Sequence, residues 1–109
     1  MGMAHRTIKL SSADVERIAK ALADPQRMKL LGTISASEEF ACRRLCRCVP
    51  LAKATISHHL RELQRAGLID VRREGSYMYL RARRDVLTAY AEQLLRVGQS
   101  PAASARGAR

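Results

Sequence analysis

Apolar positions fall at helical spacing along most of the chain and at alternating spacing in one stretch of its second half. Val15, Ile18, Ala19 and Leu22 occupy i, i+3, i+4 and i+7, the stripe of an amphipathic helix. Ser11 or Ser12 stands where its cap belongs, and Asp14 and Glu16 lie in the first turn, where the helix dipole favours negative charge. Asp24-Pro25 closes this helix and opens the next: Asp caps, and proline at the first helical position gives up an N–H that has no partner there. The second helix is expected to run to about Ile34 and to present Met28, Leu31 and Ile34, before a break at Ser35-Ala36-Ser37. A short third helix is expected over 43–49, stopped by Pro50. A fourth begins near Lys53 and ends at Gly67, a natural left-handed cap. Its apolar positions are Ile56, Leu60 and Leu63, and its other face is expected to show Thr55, Ser57, His58, Arg61 and Arg65. LIDVRR and YMYL then alternate around a Glu74-Gly75-Ser76 turn and predict a β-hairpin. A last helix over about 84–97 carries Leu87, Tyr90, Leu94 and Val97 and stops at Gly98.

These elements predict a mainly α fold with a β-hairpin wing, a winged helix-turn-helix over residues 11–97. The aperiodic residues 1–10 read as a flexible arm, and the small, polar residues 98–109 as a disordered tail. No repeat is visible, and 109 residues suffice for one small core. Two helices joined by a tight turn, the second with a polar and basic outer face, are built to enter a major groove. A basic hairpin behind them can reach a neighbouring phosphate strand.

Charge sharpens this picture. Lys and Arg number 20 against 10 Asp and Glu, a net charge of +10. The excess is concentrated: residues 43–84 hold eleven basic groups and three acidic ones, while the flanks are nearly balanced. An asymmetry spread over several consecutive elements favours a polyanion, and double-stranded DNA fits the helix-turn-helix. Aromatic residues make up only 4%, with no Trp, which argues against a single-strand binder that stacks bases. No apolar run is long enough to span a membrane, and MGMAHRTIKLSS lacks the apolar core of a secretory signal, so a cytoplasmic protein is expected. Lys53, Thr55, Ser57, His58, Arg61 and Arg65 on the fourth helix, with Arg72 and Arg73 on the wing, are the candidate DNA contacts. His58 and His59 are neighbours about 100° apart on a helix, so they form no metal pair; His58 faces out, and His59 packs or touches phosphate.

The stretches ALADPQRMKLL, EFACRRLC and KATISHHLRELQRAGLIDVRREGSYMYLRA resemble the ArsR/SmtB family of small dimeric repressors, over about residues 15–95. The resemblance implies a homodimer whose first and last helices form the interface. The residues point the same way, since the Val15–Leu22 and Leu87–Val97 stripes exceed what one core can cover; the alternative is that both stripes simply close the monomer core. The resemblance also implies a thiol site for arsenite or soft metals, borne by a Glu-Leu-Cys-Val-Cys-x-x-Cys pattern. Aligned on ISHHL, Cys46 falls on the last thiol of that pattern, Ala41 and Arg43 replace the first two, and Cys42 lies between them. A second family site of Asp and His on the last helix has no counterpart, because that helix contains no His.

All three cysteines, Cys42, Cys46 and Cys48, lie within seven residues. An odd count argues against a disulfide framework. Three thiols suit trivalent arsenic or a soft metal ion as effector, although a regular helix sets Cys48 roughly 120° from Cys42, so one end must unwind to bring them together. Arg43, Arg44 and Arg47 are expected to lower the thiol pKa values, which also fits a redox sensor bridging two thiols. Structural cysteines with no metal are the third reading. Among other function classes, an RNA-associated basic protein would use the same charge without a helix-turn-helix. An enzyme finds no support: there is no phosphate loop and no nucleophile elbow, and Ser57 and His58 are too close in sequence to pair on a helix.

Overall fold

The computed structural model describes residues 8–99. In chain order the elements are α1 (Ser12–Leu22), α2 (Pro25–Ile34), β1 (Phe40–Ala41), α3 (Cys42–Cys48), α4 (Lys53–Arg65), β2 (Ile69–Glu74), β3 (Tyr77–Ala82) and α5 (Arg84–Gly98). Most of the arm and tail expected from the sequence, 1–7 and 100–109, lie outside the described residues. Ile8 and Leu10 are described, and both pack against the core.

Local signals start and stop the helices. Ser11 caps α1 with a reciprocal box: its Oγ accepts from the Asp14 N–H at 3.0 Å, and the Asp14 carboxylate accepts from the Ser11 N–H at 2.9 Å. Asp24 caps α2 by accepting from the N–H groups of Gln26 and Arg27, with Pro25 in the first turn. Gly67, at φ +74°, ends α4 in a Schellman motif: the Leu68 N–H donates to the Leu63 carbonyl and the Gly67 N–H to that of Gln64. Gly75, at φ +62°, supplies the left-handed turn between β2 and β3.

The sheet has three strands rather than the two of the expected hairpin. β1 pairs antiparallel with β3, Phe40 opposite Leu80 and Ala41 opposite Tyr79, giving the order β1-β3-β2. A two-residue strand has no period of its own, and it exists because β3 offers it an edge. Its consequence is positional, since α3 begins at the next residue, Cys42.

One apolar cluster joins the helices to the sheet. Ile18 and Ala21 of α1, Leu30, Leu31 and Ile34 of α2, Leu45 of α3, Ile56, Leu60 and Leu63 of α4, and Leu80 of β3 are all buried in it. Two sequence expectations shift here. Met28 is 50% exposed, and the inward row of α2 is Arg27, Leu30, Leu31 and Ile34. An arginine at the first inward position hides that row from a reading of apolar spacing. The α1 stripe is not left over either: Ile18 and Ala21 close the monomer core, and Ala19 is exposed.

Candidate nucleic-acid interface and thiol pair

α4 carries its exposed residues on one face. Ser57, His58, Arg61 and Arg65 are exposed, and Lys53 opens the helix beside them. Thr55 is half-buried: two positions on a helix are about 200° apart, so it cannot share the Ser57 face. An open groove of about 670 Å³ separates this face from the wing, with Ser57, Arg61, Arg73, Cys42 and Cys46 in its lining. A second opening, of about 550 Å³, shares Cys42, Cys46, Lys53 and Arg73 with the first and reaches past Arg43 and Arg47 to Ser76 and Tyr77 at the wing tip. Among the described residues no Asp or Glu lines either one.

The cations around the groove differ in their partners. Arg65 pairs with Glu62 at 3.1 Å, Arg81 with Glu38 at 3.8 Å, and Arg83 with Asp85 at 3.1 Å. Arg72 is the most engaged. Its Nε and Nη2 both donate to the Glu39 carboxylate at 2.8 Å, its Nη1 donates to Glu74 at 2.6 Å, and its guanidinium lies 4.5 Å from the Tyr79 ring centre. Arg72 therefore ties β2 across β3 to the residue before β1, and as a phosphate contact it starts already occupied. By contrast Arg43, Arg47, Lys53, Arg61 and Arg73 have no ion-pair partner among the described residues. All five line the two openings. Arg43 and Arg47 were not among the contacts expected from the sequence, though the Arg-Arg-Leu-Cys-Arg run on α3 carried the signal.

His59 packs rather than reaching phosphate. It is 4% exposed, accepts at Nδ1 from Arg27 Nε at 3.3 Å, and lies 3.4 Å through Nε2 from the Gln26 amide oxygen. This pattern fits the neutral ring with its proton on Nε2, and it fixes α4 to the start of α2.

The three thiols do not converge. Cys42 and Cys46, at i and i+4, lie side by side in the groove wall. Cys48 is exposed, its Sγ 3.8 Å from the Leu45 carbonyl, and it borders a separate cleft of about 290 Å³ with Gln26, Thr33 and Pro50. Among the described residues no three His, Cys, Asp or Glu side chains stand close enough to hold a metal ion together. The expected lowering of thiol pKa is reversed at Cys42. Burial pushes its thiol up and the neighbouring Cys46 adds to this, while Lys53 and Arg73 pull only weakly the other way. The adjacent arginines are directed elsewhere: the Arg43 guanidinium sits 5.0 Å from the Tyr77 ring centre, and that of Arg44 lies 4.9 Å from the Phe40 ring centre.

A family model described as a helix-turn-helix domain matches residues 22–72. The arsenical resistance operon repressor of Staphylococcus xylosus is 32% identical over 71 residues, covering 64% of this chain and 67% of that protein. An ArsR-like transcriptional regulator from Rhodococcus superposes with a TM-score of 0.72 at 27% identity, over 79% of this chain and 80% of that one. The chain belongs to the ArsR family of transcriptional regulators. A cadmium resistance transcriptional regulatory protein CadC homolog of Staphylococcus aureus is 34% identical over 71 residues, and the match spans 65% of this chain and 59% of that protein's length. A homodimeric winged helix-turn-helix DNA-binding domain from Mycobacterium bovis, a possible ArsR-family regulator, has a TM-score of 0.65 at 25% identity, covering 87% of this chain and 94% of that one. In this ArsR-family chain the helix-turn-helix is α3–α4, and β2–β3 is the wing. Among the described residues no helix is long and apolar enough to cross a membrane. α5 buries Val86 and Ala89 near its start and leaves Leu94, Leu95 and Val97 at 55%, 58% and 71% exposure near its end.

Proposed function

We propose that this ArsR-family regulator is a cytoplasmic, homodimeric repressor that holds an inverted-repeat operator with α4 and the wing, and that a thiol-binding effector at Cys42 and Cys46 releases it. The observation that carries the DNA reading is the segregation of cations. Lys53, Arg61 and Arg73 line the groove beside α4, Arg43 and Arg47 line the adjoining opening, and none of the five has an ion-pair partner among the described residues, while Arg65, Arg72, Arg81 and Arg83 are paired with neighbouring carboxylates. Such a groove attracts a polyanion and binds it with release of its counterions. Lys53, Arg61 and Arg73 take phosphates, and Ser57 and His58 reach base edges. Thr55 is half-buried, and Arg65 and Arg72 must first leave their carboxylates, so these three contribute less. The exposed apolar end of α5 supports dimerisation, with the 8–10 segment beside it, and the homodimeric relative supports it independently.

For the effector, the relatives named for cadmium and arsenical resistance and the two adjacent sulfurs both favour a soft thiophile such as trivalent arsenic. Two sulfurs are offered together, and Cys48 joins them only if α3 unwinds. The adjacency also favours a second reading, in which peroxide takes two electrons and two protons from the pair, leaving a disulfide and water.

The test is DNA release. A duplex selected from a random pool should show an inverted repeat and a binding constant that falls steeply with salt, by about 0.9 log units per log unit for each phosphate contact. Arsenite should free the duplex from the wild type but not from Cys46→Ser, whose DNA affinity stays unchanged. A salt-independent complex overturns the DNA reading. Release by peroxide alone moves the effector assignment to the redox reading.

A further inference from the structure

The opening between α3 and the wing tip contains more than the proposed function uses. Three elements send cations to it: Arg43 and Arg47 from α3, Lys53 from α4 and Arg73 from β2. Ser76 and Tyr77 add hydroxyl groups. Four like charges without a carboxylate repel one another in the free protein, and a bound anion relieves that repulsion. The contact between Arg43 and Tyr77 shows that α3 and the wing tip face each other across the opening.

We infer that this cleft seats a phosphate of the DNA backbone, held by Arg43, Arg47, Lys53 and Arg73, and that Cys42 and Cys46 form its wall, so that the cleft takes either DNA or a thiol ligand. The inference rests on the DNA-binding reading above and adds its mechanism of release. A phosphate in the cleft covers both sulfurs and places negative charge beside them, which suppresses the thiolate that any effector needs. A ligand on the two sulfurs fills the space the phosphate requires. Binding at one then weakens the other by the same factor, through occupancy of one cleft, and α3 need not distort. Cys48 borders a different cleft and stands outside this competition.

The experiment is thiol footprinting of the full chain with iodoacetamide, a neutral reagent, read residue by residue by mass spectrometry. The probe is a mixed-sequence duplex at low salt, with binding followed by anisotropy in the same samples. With free duplex at about ten times Kd, roughly one molecule in eleven is unbound, so alkylation of Cys42 and Cys46 should slow about tenfold while Cys48 keeps its rate. Inorganic phosphate at the same phosphate concentration should give no protection. Bound duplex with Cys42 and Cys46 still reacting at the free rate overturns the shared cleft and leaves the DNA-binding reading standing. Equal protection of all three thiols, or protection by inorganic phosphate alone, also overturns it. Absence of duplex binding removes both readings. In a second arm, the Arg43→Ala, Arg47→Ala double variant removes half the cations of a seat for one phosphate and should lower the log–log salt slope by up to about 0.9, one phosphate's worth, and an unchanged slope excludes α3 from the phosphate seat.

Discussion

Arg72 and Arg73 are chain neighbours with opposite roles, because successive residues of a strand point to opposite faces. Arg73 faces the groove and the thiols, whereas Arg72 lies over Tyr79 between Glu39 and Glu74. Arg73→Ala should therefore lower the salt slope of DNA binding by about 0.9, while Arg72→Ala leaves that slope alone and speeds amide exchange in β1 and β2. A fall in slope with Arg72→Ala reverses the assignment. Sequence alone made both arginines wing contacts, since nothing local says that Glu39, 33 residues earlier, will come to rest against Arg72. The same limit explains Cys42, where a run of arginines suggested an acidic thiol. The fold buries that thiol and directs Arg43 and Arg44 onto aromatic rings.

Individual elements were legible wherever their ends are written in the chain. Ser11 with Asp14, Asp24-Pro25 and Gly67 mark helix boundaries through hydrogen bonds that span no more than five residues. What failed was whatever depends on a distant partner: β1 exists only against β3, and the inward row of α2 begins with an arginine that is satisfied by His59 and the Ala21 carbonyl. The candidate site was half legible for the same reason. Ser57, His58 and Arg61 follow from helical spacing, whereas Arg43 and Arg47 join them through tertiary packing. The C-cap of α4 allows a measurement. No atom lies within 4 Å of where a Cβ on Gly67 would stand, so Gly67→Ala meets only the cost of a left-handed backbone, about 1–2 kcal/mol. Chemical denaturation should show that loss with an unchanged slope against denaturant, and no loss would mean the cap relaxes freely.

For the whole molecule, two bulk measurements follow. Leu94→Asp combined with Val97→Asp places charge on the exposed end of α5 and should shift sedimentation at micromolar concentration from dimer to monomer, with the helical signal retained. A persistent dimer would move the interface away from α5. The second concerns acid. Asp14 is held below the ordinary carboxylate range by the Ser11 N–H, Asp24 by the Arg27 N–H, Glu39 by the Arg72 guanidinium and Asp85 by Arg83. In the unfolded chain these groups regain ordinary affinities and bind protons first as pH falls, so the stability they contribute is present above about pH 4 and is lost below it. The melting temperature should stay level from pH 7 to pH 5 and drop below about pH 4. A decline that begins well above pH 5 would mean that these four carboxylates do not control acid stability.

The two residues of β1 have a consequence for engineering. They are hydrogen-bonded to β3 on one side and joined by a single peptide bond to Cys42 on the other. The hairpin is therefore not an interchangeable part. A chimera that grafts 69–82 from a relative replaces the strand against which residues 40 and 41 are aligned, and so moves the start of α3. Transplanting the wing to change which DNA is gripped therefore also displaces Cys42, which follows residue 41 directly, unless 38–42 are exchanged with it.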